Sequence, residues 1–294
     1  IGVYGAFYKI SIIMILFIQT FRFAAEPFFF AQEKEVKSRK IYVVKIYKHG
    51  EKDSLGNYIS KDSLGNTIVL GKFDGIKAVG KWEIFFDNGR KRAFYSYKGG
   101  KLNGNFIEYY WNGTMKSQGN FLNNKQSLTW DSYYPNGTLE SRGEMFMGER
   151  YKKWNIYYTN GRIKETSNYN ENGLLNGQYY KYDKFGKIIL SANYLNNMLH
   201  GIYKEYYYDG ELSYEGEYKN DNRHGQGKEY DEGKLLYEGK FKYFERHGKG
   251  KEFDKKTGNL VFEGQWKDGE KWNVNCLDEK GEIIGKFVKG EERN

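Results

Sequence analysis

The 294-residue chain holds one cysteine, two prolines and four histidines. A single thiol, Cys276, excludes an internal disulfide framework and any cysteine-based zinc site. Long apolar runs are scarce as well. The run Ile10 to Ile18 has nine residues, short of the roughly 20 a membrane-spanning helix needs. No G-x-x-x-x-G-K-[ST] occurs, no G-x-G-x-x-G opens a helix, and no His-Glu-x-x-His is present. Nothing in the sequence therefore signals a phosphate loop or a metalloprotease centre. One-signed charge is also missing: 47 basic and 38 acidic residues give +9, with the two signs interleaved. That pattern reads as a solvated mixed-charge surface, and no nucleic-acid partner is expected.

What the chain has is rings and glycine. Aromatics make up 18% of it and Gly accounts for 36 residues, a composition that suits strands joined by tight turns. Ten turn glycines stand at a nearly fixed interval: Gly65, Gly89, Gly113, Gly137, Gly161, Gly186, Gly210, Gly233, Gly258 and Gly281. The steps are 24, 24, 24, 24, 25, 24, 23, 25 and 23 residues, the mark of a repeat architecture.

Downstream of each turn, apolar residues alternate with polar ones. Six residues past the turn glycine the residue is small, as at Gly119, Gly143 and Gly216, and eight past it is mostly aromatic. Period two predicts a strand with one apolar face, the small residue leaving room for a neighbouring ring. A second strand precedes each turn, entered through a glycine and an aromatic, such as Gly80 with Trp82. Leu128 and Lys152 replace that glycine in two copies. The predicted fold is all-β: an elongated antiparallel meander ribbon of about ten 24-residue hairpins, with type I′ Asn-Gly turns. Its strands should be about six residues long.

The expected organisation has four parts. Residues 1–31 read as a signal peptide or membrane anchor, with Lys9 before the apolar run. Residues 32–60 read as an entry strand, Ile41 to Tyr47, and a loop; KDSLGN occurs at Lys52 and again at Lys61, a duplication that reads as a loop or short hairpin. Residues 61–290 hold the hairpins, and 291–294 form a charged tail. The expected location is exported or membrane-anchored, or cytoplasmic if the apolar N-terminus is not translated.

The stretch Tyr214 to Tyr230 resembles the MORN repeat family, on Tyr214, Gly216, Tyr218, His224, Gly225 and Gly227. A second copy stands at Tyr237, Gly239, Phe241, His247, Gly248 and Gly250, and a truncated third at Phe262, Gly264 and Trp266. Earlier units are similar to the degenerate bacterial MORN variant, and the likeness spans roughly residues 60–290. It implies a hairpin ribbon without intrinsic catalysis, serving as scaffold, dimerising module or membrane adaptor. Bacterial members are often labelled antitoxin-like, which implies neutralising a toxin by binding.

Three side-chain rows invite chemistry. His200, His224 and His247 recur before glycines, but equivalent residues of successive hairpins lie about 10 Å apart, too far to share one ion. Glu205, Glu229 and Glu252, like Glu215, Glu238 and Glu263, are read as ladders facing Lys and Arg on adjacent strands. No catalytic, cofactor or metal residue is assigned. The expected interaction face is aromatic: Trp82, Phe106, Trp130, Trp154, Tyr179, Tyr203, Tyr214, Tyr218, Tyr237, Phe241, Phe262 and Trp266. Its expected occupant is a protein partner or a second copy of the chain, with membrane lipid as the alternative.

Overall fold

The structure is a computed structural model that describes residues 50–293. The leader at 1–31 and the entry strand Ile41 to Tyr47 lie outside the described residues.

Among the described residues, 22 strands run from Gly50–Lys52 to Glu291–Arg293, and there is no helix. Each strand pairs antiparallel with its sequence neighbours, so the sheet is one open meander. Twenty-one pairings at roughly 4.8 Å give it a contour of about 100 Å. Most strands have eight or nine residues, longer than expected, because pairing continues past the apolar positions to the turns. Glu291–Arg293, read above as tail, pairs with Ile283–Val288 as the last strand.

The turns differ from the type I′ expectation at most of the predicted positions. At Tyr110–Thr114 the Gly113 N–H donates to the Tyr110 carbonyl at 2.9 Å, and the Tyr110 N–H to Thr114 at 2.8 Å. Gly113 has φ 88°, whereas Asn112 keeps a negative φ. This is a type I turn closed by a glycine bulge, which needs one left-handed residue where type I′ needs two. The same bonds recur at 86–90, 134–138, 158–162 and 207–211. Type I′ geometry appears at Glu232–Gly233 and along the opposite edge of the sheet. There it takes Asn123–Asn124, Asn196–Asn197, Asn220–Asp221 and, less expectedly, Tyr243–Phe244.

Tyrosines tie successive units together along the bulged-turn edge. The hydroxyls of Tyr110, Tyr134 and Tyr158 donate to the carbonyls of Tyr133, Tyr157 and Tyr182 at 2.7–2.8 Å, one repeat on. The weakest interior seam lies between Ile163–Tyr169 and Gly177–Tyr182. Only Glu165↔Lys181 and Thr166↔Tyr180 pair there, beside the single bridge Tyr169↔Leu175. The inserted turn at Asn170–Leu174 takes up the residues that would otherwise extend the ladder.

Candidate binding surface

The alternation of strand residues gives the sheet two unlike faces, and the buried rings settle on one of them. In the first half three tryptophans lie flat on the small residue of the preceding strand. Trp82 covers Gly71, Trp130 covers Gly119 and Trp154 covers Gly143, and a Cβ on any of these glycines would fall within the indole. The indole N–H groups of Trp130 and Trp154 donate to the Asn120 and Glu144 carbonyls at 3.1 and 2.7 Å. In the second half the ring covers the glycine two residues on in its own strand and also a glycine of the next strand. Tyr214 lies over Gly216 and Gly227, and Tyr237 over Gly239 and Gly250. The sequence expectation, a neighbouring strand's ring over the small residue, thus holds for the tryptophan units, whereas in the Tyr-x-Gly units it holds for the second glycine and the first is covered from its own strand.

The twelve rings expected to form an exposed interaction face are mainly the sheet's own core. Trp82, Phe106, Trp130, Trp154, Tyr214, Tyr218, Tyr237, Phe241 and Trp266 are buried, and Tyr179, Tyr203 and Phe262 are half-buried. Rings of successive units pack on each other, as in Phe106–Trp130 at 5.3 Å and Tyr237–Trp266 at 5.3 Å between centroids. Trp82, Trp130, Trp154 and Trp266 therefore lack the exposure an interface anchor needs. Among the described residues nothing packs behind the single sheet, and its rings bury one another.

Cations and carboxylates cap this aromatic face in the second half. The Arg223 guanidinium sits 3.8 Å from the Tyr214 ring centroid, Arg246 sits 4.2 Å from Tyr237, and the Lys271 ammonium 3.8 Å from Phe262. Arg223 and Arg246 both donate to Glu229, and Arg246 and Lys271 both donate to Glu252, at 2.8–3.1 Å. The glutamates at 229 and 252 are thus held by basic groups, but these come from the same strand or from two strands away, not from the adjacent strands that the ladder reading expects. Burial pushes the Tyr237 hydroxyl up to about 12. Cys276 is half-buried, and burial likewise raises its thiol, so it is a poor nucleophile. His247 contacts Asp268 at 3.4 Å. Among the described residues no group of three His, Cys, Asp or Glu side chains could hold a metal.

The opposite face is polar. Its most enclosed point is Asp131, 5% exposed, which accepts from Arg142 at 2.7 and 2.9 Å and from Gln118 at 2.9 Å. Burial pushes its carboxyl up, but the bonds from Arg142 and Gln118 outweigh burial and leave it below the ordinary carboxylate range. Farther along this face lies an open trough of about 910 Å³ spanning seven strands, Met198–Tyr206 to Glu270–Leu277. Its floor carries one residue per strand, in the order Lys204, Glu215, Lys228, Glu238, Lys251, Glu263 and Asn275. Lys204 and Glu215 approach to 3.0 Å, while Lys228–Glu238 and Lys251–Glu263 stand at 3.7 Å. The hydrogen bond from Lys204 holds the Glu215 carboxyl below the ordinary carboxylate range.

Sequence reasoning found the glutamates of this row and missed its lysines, although Lys204, Lys228 and Lys251 recur at 24 and 23 residues. It also missed Asp131 and Arg142, which carry no periodic signal. On the two-residue-turn edge, Tyr243 and Phe244 are 68% and 53% exposed, and Phe244 packs on Tyr218 of the aromatic face.

A comparison with curated proteins gives no match. Among solved structures, the chain is similar to the Tc holotoxin pore of Photorhabdus luminescens at 12% identity, covering 81% of this chain and 17% of that one, with a TM-score of 0.17. It is similar also to a TcdB2-TccC3 complex lacking its hypervariable C-terminal region, at 13% identity, 84% and 18% coverage, and a TM-score of 0.17. This chain therefore spans less than a fifth of either, and neither fold nor function is read from them. The family model described as a MORN repeat variant matches residues 102–123 and 199–220. Each stretch is one hairpin that starts just after a two-residue turn and ends at the first residue of the next. The chain thus carries MORN-variant repeats, set in a scaffold of hairpins that repeat the same turns and the same rings laid over glycine.

Proposed function

We propose that the chain is a non-enzymatic scaffold that binds a protein on the polar face of its C-terminal units. The trough carries this reading, being open to solvent and floored by charged side chains that keep a quarter to half of their surface exposed. The aromatic face is engaged by its own packing, so the polar face takes the role first expected of the rings. An expression host's soluble proteins, passed over the immobilised full chain, give a wild-type set of captured species. Replacing Lys204, Lys228 and Lys251 together with alanine should remove specific members of that set while leaving the thermal midpoint nearly unchanged. An unaltered set would sink the reading.

Export by the N-terminal segment is part of the proposal. It rests on Lys9 and the run Ile10 to Ile18, and mass spectrometry of the native N-terminus tests it: an uncleaved cytoplasmic chain would remove it.

A further inference from the structure

We infer that the partner seated on this trough is a second copy of the chain, related by a two-fold axis parallel to the strands. The inference rests on the binding-scaffold reading above and makes its partner specific.

The trough's central row alternates in sign across six consecutive strands: Lys204, Glu215, Lys228, Glu238, Lys251, Glu263. It is bounded by uncharged neighbours, Ser191 on one side and Asn275 on the other. An alternating row with an even number of members becomes its own complement when reversed. With five or seven members, reversal would set like against like.

A two-fold axis along the strands, passing between Lys228 and Glu238, performs that reversal. Facing copies then place Lys204 against Glu263, Glu215 against Lys251 and Lys228 against Glu238, each pair occurring twice. The adjoining row agrees, since Glu217 falls opposite Lys249 and Gln226 opposite Lys240. An axis along the row itself would instead set every lysine against its own copy. The charge pattern thus selects one symmetry, and a two-fold dimer requires a self-complementary patch of this kind.

The area is sufficient. Seven strands at roughly 4.8 Å, by about 20 Å of strand length, give about 700 Å² per copy. Two copies bury about 1,400 Å², within the usual range for a specific complex. The row keeps its charges partly solvated, Lys204 at 41% and Glu263 at 51% exposed, so each can meet a second partner. Exposed ion pairs are individually weak and screened by salt, so the dimer should be modest in affinity and should dissociate as salt rises.

Sedimentation velocity of the full chain at low and high salt, with two substitutions, tests this. Lys204 and Glu263 lie five strands apart within one copy and meet only across the two-fold axis. At low salt the wild type should dimerise, with affinity falling about tenfold or more when salt reaches several times physiological strength. Lys204→Glu and Glu263→Lys should each weaken association about tenfold. The double variant should return to within about threefold of wild type. Within each copy the double variant sets a carboxylate beside Glu215 at one end of the row and an ammonium beside Lys251 at the other. Both local contacts become repulsive, so local effects cannot produce that recovery.

A chain monomeric at every concentration overturns the inference. So does a dimer indifferent to these charges, or a double variant no tighter than the singles. A monomer that still captures a protein through Lys204, Lys228 and Lys251 overturns the inference and leaves the binding-scaffold reading standing.

Discussion

Tyr243–Phe244 is a two-residue turn in which both rings sit on left-handed backbone, with φ of 51° and 71°. Equivalent turns use Asn196–Asn197 and Asn220–Asp221, short polar residues that tolerate this region. Left-handed backbone costs a bulky L-residue about 1–2 kcal/mol, so the pair stores about 2–4 kcal/mol. Replacing it with Asn-Gly releases most of that strain. It also deletes the Phe244–Tyr218 ring contact at 6.1 Å, worth about 1 kcal/mol, and about another 1 kcal/mol of partial ring burial. The net expectation is a gain of about 1 kcal/mol. The sharper comparison is with Ala-Ala, which deletes the same rings and keeps the strained backbone. Asn-Gly should exceed Ala-Ala by about 2 kcal/mol, read as separated urea midpoints at a common slope. Coincident midpoints would refute the assignment of strain to this turn. Strain held at an exposed ring pair is also a pointer toward function, so the stabilised variant is a useful one to carry into the capture experiment.

The remaining predictions concern other parts of the sheet. Leu128 and Lys152 occupy bulge positions with φ of 60° and 55°, where the other copies place glycine; glycine there should exceed alanine by about 1 kcal/mol in chemical denaturation. Asp131→Asn should lower stability by about 2 kcal/mol at neutral pH, because it removes charge-assisted bonds from a buried group. The folded carboxyl of Asp131 lies below its unfolded value, so its contribution is fully present above the ordinary carboxylate range and is lost as pH falls through the folded value; the gap between wild type and Asp131→Asn should therefore close only in acid. The two-pair seam before Gly177 should divide native-state hydrogen exchange into two blocks, residues 50–169 and 177–293; uniform protection across it would show that the sheet opens as one unit.

Much of the architecture is local, and for that reason it was legible in the sequence. A turn glycine every 23 to 25 residues, followed by alternating apolar positions, determines hairpins, their order and the side each ring takes. Antiparallel neighbours then follow, because short connections allow little else. The MORN resemblance was visible for the same reason, in the spacing of Tyr214, Gly216 and Tyr218.

Three things needed the tertiary structure. Turn type depends on φ values that Asn-Gly alone leaves open, so type I turns with a glycine bulge replaced the expected type I′ turns at most units. Exposure depends on neighbours: Trp82 or Trp130 alone in a strand is a candidate anchor, yet 1% and 6% exposure make them core. The row from Lys204 to Glu263 draws one residue from each of six strands, and only pairing register brings them into line. The sequence by itself determined which residues repeat. The packing of strand on strand decided which repeats are hidden and which face a partner, because burial and register are properties of neighbouring strands that no single repeat contains.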